Sequence, residues 1–451
     1  MSRRILLGAL VLAVLLPSQA AGQSAATMPV LKGLAPVTAL TRTRAGLAAL
    51  GANYTVTGGI QTGEWRQPTL LPFAEDQQLA LRDAFSTHGN LTQLADGLGT
   101  TLGSAYEARA HYIDRDRFTN VSPAVAGVIA YALSAAREDS DTGKYFFANL
   151  TTDGKAPAST EARAILEQIG GLPDIFGRAY RVPAGSAGGG AYGDARPFQT
   201  EPVFTRIVGR DYFGVPTDNT VLNRGPVMDL VNSPSYPSGH TTYGYVGSVL
   251  LAIMVPERYP EMVTRAAEYG NHRITIGAHY AMDVLGGRAV ALHALAHLLA
   301  NDPRYVGRSF EKASTIADFR AAVNAARADV RAQLEAACGK PVAECAREDH
   351  GRFGDSAANA AFYASTQTYG LPVVHPEQAI VRPDVGRVAP EAGHLLTAAF
   401  PSLSLEEANG ILTRTLGPGG GFLDDGSAFG IYARLDLYAA SRYAAALAAG
   451  R

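Results

Sequence analysis

Two apolar stretches, 241–255 and 284–300, restrict the fold of this chain more than any other feature. The first has about 15 residues and the second carries Arg288, His293 and His297, whereas a membrane span needs about 20 predominantly apolar residues. Both therefore read as helices buried in a protein core, and a chain with such helices must supply others to cover them. Apolar residues three and four apart supply them. Helices are predicted at 77–85, 91–112, 121–137, 159–180, 238–254, 260–270, 278–300, 316–337, 390–399, 404–416 and 431–449. Strand alternation is scarce and no internal repeat is evident, so the predicted fold class is all-α, a helical bundle with additional helices at both ends.

Residues 1–20 read as a signal peptide, with Arg3 and Arg4 before an apolar run at 5–16 and small residues at Ser18-Gln19-Ala20. The protein is accordingly expected to be exported, periplasmic or secreted, with no stable membrane insertion. Residues 21–70, rich in Ala, Gly, Thr and Pro, predict an extended arm or linker. The main bundle spans 71–300, and 301–451 is a helical C-terminal extension. In an oxidising compartment Cys338 and Cys345, which straddle Gly339 and Pro341, predict a local disulfide.

Charge excludes some partners. With 39 basic and 41 acidic side chains the net charge is −2, which makes no electrostatic case for nucleic acid or an anionic membrane surface. Only five of the basic residues are lysines. His293 and His297 have an i,i+4 spacing but lack the Glu of a zinc-protease motif and a third ligand, so no metal is predicted. The 417–421 glycine run has no Lys-Ser/Thr after it and reads as a loop.

Three segments put phosphate-binding and proton-transferring groups on polar loops that enter apolar helices: Arg196-Pro197; Pro237-Ser238-Gly239-His240; and Arg273 followed by His279 and Asp283. In the second, a helix starts at Pro237 or Ser238 and Gly239 leaves its first-turn N–H groups open, which makes an anion site. His240 is placed to give a proton to an oxygen held there. In the third, His279 and Asp283 stand i,i+4, predicted to share one helix face so that the carboxylate fixes the imidazole tautomer and leaves the other nitrogen nucleophilic. Arg273 and Arg196 offer planar donor forks to phosphate oxygens.

This pattern resembles the second and third signature motifs of the type-2 phosphatidic-acid phosphatase superfamily, which includes bacterial acid phosphatases and vanadium-dependent haloperoxidases. Arg196-Pro197 resembles the end of the first motif, Lys-x6-Arg-Pro. The resemblance covers about 195–287. It implies the helical bundle of that group and a metal-independent phosphomonoester hydrolase that needs no cofactor. His279 is then the nucleophile, Asp283 orients it, His240 is the general acid and base, and Arg196, Ser238, Gly239 and Arg273 hold the phosphoryl oxygens of a small phosphorylated substrate. A second implied reading is a haloperoxidase that holds vanadate in the same cage, and a third is a non-catalytic phosphate-binding protein. The chain departs from the first motif at Gly189, where the lysine should stand, and from the third at His272, commonly a serine. Arg178 and Arg181 are candidates to replace the lysine charge, unless one oxyanion contact is absent; His272 is a candidate to support Arg273 from behind, or else a surface residue.

Overall fold

The computed structural model describes residues 43–64, 70–86, 89–147 (141–147 as backbone only), 196–200, 205–225, 228, 230 and 235–450. The predicted signal peptide, the 159–180 helix, the glycine-rich loop with Gly189, and Arg178 and Arg181 lie outside them.

The fold is all-α as predicted. Its centre is three consecutive helices, α5 (Gly239–Met254), α6 (Tyr259–Thr275) and α7 (Ala281–Leu299), and the two long apolar runs fall in α5 and α7. Every residue of α5 from Thr241 onward is buried, as is all of α7 except His293. Around them pack α1 (Arg44–Thr62), α2 (Phe73–Arg82), α3 (Thr100–Glu107) and α4 (Pro123–Phe147) from the N-terminal side. The C-terminal side adds α8 (Phe319–Cys338), α9 (Val342–Glu348), α10 (Ser356–Thr368), α11 (Leu405–Arg414) and α12 (Leu437–Ala449). A short antiparallel hairpin, Val208–Arg210 with Pro216–Asp218, is the sheet among the described residues. One hydrophobic core runs from Leu50 in α1 to Ala444 in α12, so the C-terminal extension shares the core of the bundle.

Several boundaries differ from the sequence reading for identifiable reasons. The expected 21–70 arm is helical over Arg44–Thr62, capped by the Thr43 hydroxyl on the Gly46 N–H. Its buried face includes Asn53, Thr57 and Gln61, so polar residues that point inward hide the helical periodicity. The single helix expected at 91–112 breaks at Gly99, whose φ of +94° no helix tolerates, into a 3-10 segment Thr92–Leu98 and α3. α9 and α10 were not anticipated. At the end of α8, Gly339 takes a left-handed cap (φ +74°) and returns the chain so that the Cys338 and Cys345 sulfurs come to disulfide distance.

Close helix approach positions the site. A Cβ on Gly287 of α7 would sit 2.4 Å from the carbonyl oxygen of Ser238, so glycine lets the start of α5 rest directly on α7. The contact is fastened by the Ser238 N–H to the Asp283 carbonyl at 3.0 Å and by the Thr242 hydroxyl to the Gly287 carbonyl at 3.2 Å.

Candidate active site

Two helix N-termini converge here, and the sequence terminates them differently. Ser238 is the N-cap of α5, and its hydroxyl oxygen accepts from the Thr241 N–H at 3.1 Å and the Thr241 hydroxyl at 2.9 Å. Both lone pairs are then used, and the hydroxyl proton remains to be donated. The Gly239 N–H has no acceptor among the described residues. An oxygen anion placed at this turn would therefore meet an amide, a hydroxyl proton and the positive end of α5.

His279 lies in the connection from α6 to α7, buried to 1% exposure. This corrects the expected shared helix face: α7 begins at Ala281, so His279 precedes the helix and Asp283 is its third residue. The pair meets through capping. Asp283 Oδ2 accepts the Tyr280 N–H at 2.7 Å, which turns the carboxylate back over the helix start, and the same oxygen stands 3.5 Å from His279 Nδ1. Behind it the Ser235 hydroxyl donates to Oδ2 at 2.5 Å, while Oδ1 has no partner among the described residues. Burial pushes the Asp283 carboxyl up to about 6, although Ser235, the Tyr280 N–H and Arg196 pull the other way.

The connection itself is held by backbone contacts. Gly277 adopts φ +72°, and the N–H groups of Ala278 and His279 donate to the Arg273 carbonyl at 3.0 and 3.1 Å. The Phe198 N–H donates to the Gly277 carbonyl at 3.0 Å, and Asn223 Nδ2 to the Ile276 carbonyl at 2.8 Å. Through Phe198 the first motif is brought against the third. Arg196 Nη1 donates to the Ala278 carbonyl at 2.9 Å and lies 3.1 Å from His279 Nε2. The same Arg196 nitrogen is 3.5 Å from Nδ1, as far as the carboxylate is, so the guanidinium lies along the ring with Nε2 the nearer nitrogen.

Arg273 is fully buried. One nitrogen, Nη2, reaches the Ala80 carbonyl at 3.4 Å and the guanidinium lies 4.9 Å from the Tyr269 ring centroid, while Nε and Nη1 have no partner among the described residues. Unpaired buried guanidinium nitrogens are costly, and an oxyanion would satisfy them. The His240 ring is centred 6.3 Å from that of His279. It is partly exposed and, with Gly239, Thr242 and Tyr243, borders a cavity of about 720 Å³ that is also lined by Ala126, Ala130 and Leu133 of α4 and by the charged side chains of Arg115, Asp116, Arg137 and Lys312.

His272 is not a surface residue. It is fully buried, and its ring bonds Asp83 through Nδ1 at 2.6 Å and Asp76 through Nε2 at 3.3 Å. Asp83 also takes two bonds from Arg265 at 2.7 Å. Burial opposes a charge on His272, but Asp76 and then Asp83 outweigh it and raise its pKa from 6.5 to about 9. A raised folded value stabilises fully below the unfolded pKa and is lost as pH rises through the folded one. Replacing His272 with alanine is thus expected to cost roughly 3–5 kcal/mol near pH 6, the usual penalty for breaking a buried pair, and clearly less at pH 10. Urea unfolding of both proteins at the two pH values checks this; a pH-independent difference contradicts it.

The structure brings together Arg196, Ser238, Gly239, His240, His279 and Asp283, and joins Arg273 to them through its backbone carbonyl, which takes the Ala278 and His279 N–H groups. Sequence reasoning missed Ser235, whose only signal is its place just ahead of the Pro237 motif, and the Asp76, Asp83 and Arg265 cluster, which has none. No group of three or more His, Cys, Asp or Glu among the described residues is placed to hold a metal ion. His293 and His297 instead face each other at 3.2 Å, with Asp302 on His297 Nδ1 at 2.7 Å. No helix among the described residues is long and apolar enough to cross a membrane.

Residues 188–305 match the family model of the PAP2 superfamily. The chain is 33% identical over 109 residues to a non-specific acid phosphatase of Providencia stuartii, covering 24% of this chain and 42% of that protein. It is 32% identical over 108 residues to an acid phosphatase of Zymomonas mobilis, covering 23% and 41%. Over 69 residues it is 44% identical to a non-specific acid phosphatase of Salmonella typhimurium, covering 15% and 28%. Each of these matches spans less than half the length of the curated relative concerned, and the family-model match at 188–305 contains every motif residue of the site.

Proposed function

From the PAP2 superfamily domain that this chain carries at residues 188–305, we propose that the protein is a phosphomonoester hydrolase working through a phosphohistidine. The observation that carries the reading is the placement of the His279 ring between Asp283, 3.5 Å from Nδ1, and Arg196, whose Nη1 is nearer Nε2 at 3.1 Å than Nδ1 at 3.5 Å. The His279 Nε2 lone pair attacks phosphorus and forms the P–N bond as the P–O bond to the alcohol breaks. His240 gives its proton to the departing alkoxide. His240 then removes a proton from water, whose oxygen attacks the phosphohistidine and releases inorganic phosphate and free His279. Arg196, Arg273, the Ser238 hydroxyl and the Gly239 N–H hold the non-bridging oxygens, where charge accumulates. The cavity beside His240 takes the alcohol, and its volume suits a small organic group.

Export is part of the proposal. It is supported by the 1–20 segment and by the cysteine pair at disulfide distance.

Phosphate release from an aryl phosphate, compared with halogenation of a dye by vanadate-treated protein with peroxide and halide, tests the reading. Phosphate release without halogenation is expected. Halogenation without phosphate release would move the assignment to a haloperoxidase, and neither activity would leave a phosphate-binding protein.

A further inference from the structure

The two helix N-termini at the site are treated in opposite ways, and the difference comes from α1, a helix outside the segment that matches the PAP2 family model. At the start of α5 an amide is left open. At the start of α7 the first amides are filled: the Ala281 N–H donates to the Thr57 hydroxyl at 3.0 Å and the Met282 N–H to Asn53 Oδ1 at 2.9 Å. Asn53 and Thr57 stand i,i+4 on α1, and both are fully buried. Ala281 and Met282 are fully buried as well, so no water replaces these acceptors at the amides without a rearrangement.

We propose that Asn53 and Thr57 are positioning residues for the hydrolase reaction, acting through the start of α7 on Asp283 and hence on His279. The inference rests on the phosphatase reading above. Its chain of contacts is short. The two α1 side chains fix the Ala281 and Met282 amides, and that fixes the helix start to which the Tyr280 N–H and the Asp283 carboxylate belong. The carboxylate in turn sets the His279 ring. The His279–Asp283 separation of 3.5 Å is already at the long end of a hydrogen bond, so a shift of a few tenths of an ångström in α7 decides whether the contact orients the ring. Misplacement on the ångström scale costs an enzyme about 100-fold. Filling the α7 amides also leaves α5 as the helix end offered to the phosphoryl group, so the anion has one seat beside His279.

This division predicts an effect on turnover more than on binding, because Arg196, Arg273, Ser238 and Gly239 are untouched. Thr57→Val keeps the side-chain shape and removes the acceptor; Asn53→Ala removes the other. With an aryl phosphate, each single variant is expected to lose about 5- to 10-fold in kcat and the double variant about 10- to 100-fold. KM and inhibition by inorganic phosphate should stay within about threefold, and Thr57→Ser, which retains the hydroxyl, should recover kcat to within about twofold. A folded double variant with unchanged kcat overturns the proposal. It is equally overturned if Thr57→Ser does no better than Thr57→Val and activity, KM and thermal stability fall together, since that is the signature of a purely structural contact. A wild type inert toward aryl phosphate, read before any variant is made, overturns the phosphatase reading itself and separates the two failures.

Discussion

His279→Ala is expected to remove turnover of an aryl phosphate, by roughly four orders of magnitude or more, while the protein stays folded. None of the groups given to the phosphoryl oxygens offers a nucleophile in its place, since Arg196 and Arg273 are protonated donors and Ser238 has both lone pairs engaged by Thr241, and His240 is the group that must carry the proton. The backbone around position 279 is held by the Arg273 carbonyl, and Gly277 makes the turn, so deleting the imidazole leaves the connection in place. The measurement is phosphate release under saturating substrate alongside circular dichroism and a melting curve. Wild type quenched in alkali during turnover should carry a phosphoryl group that is released on acidification and that the variant lacks. Near-normal activity in His279→Ala would remove the phosphohistidine mechanism and with it the role given to Asp283.

Asp283→Asn is expected to slow turnover about 100- to 10,000-fold and, near neutral pH, to make the protein more stable. The loss follows from the tautomer: an amide in place of the carboxylate no longer demands the Nδ1 proton, so Nε2 is no longer reserved as the nucleophile. The gain follows from burial. The Asp283 carboxyl is raised from 3.8 to about 6, so between those values the native state holds a proton that the unfolded chain has lost. Stability therefore falls as pH rises through this window, by on the order of 3 kcal/mol once the native carboxyl is ionised. Asparagine never ionises and avoids that cost. Denaturant unfolding should show the variant more stable than wild type at pH 7 and the two equal at pH 4. A variant less stable at pH 7 would mean that Ser235, the Tyr280 N–H and Arg196 more than compensate the buried charge.

A stabilising substitution that abolishes activity would mark Asp283 as a residue retained for chemistry at the expense of stability. His272 presents the opposite case. Its ring is as deeply buried, but Asp76 and Asp83 face it on both nitrogens, so its charge holds α6 to α2. The contrast comes from partners, since burial alone opposes the charge on both groups.

Much of this was legible in the amino-acid order. The apolar runs that became α5 and α7 are each unsuited to span a membrane and demand helical cover, because their lengths and periods are local properties of the chain. The residue types and spacing of the second and third motifs name His240, Arg273, His279 and Asp283 for the same reason: each motif is a turn entering a helix, and its geometry is set within a few residues. Tertiary structure decided what local spacing cannot carry. Whether His279 and Asp283 share a helix face or meet at a helix start depends on where α7 begins, and its first amides are accepted by Asn53 and Thr57 more than 220 residues earlier in the chain. Whether His272 is a surface group or a buried cation depends on Asp76 and Asp83, which the sequence places far from it. The chain encodes these contacts, but their energy exists only once distant polar groups are buried together, where each must find a partner or be left without one.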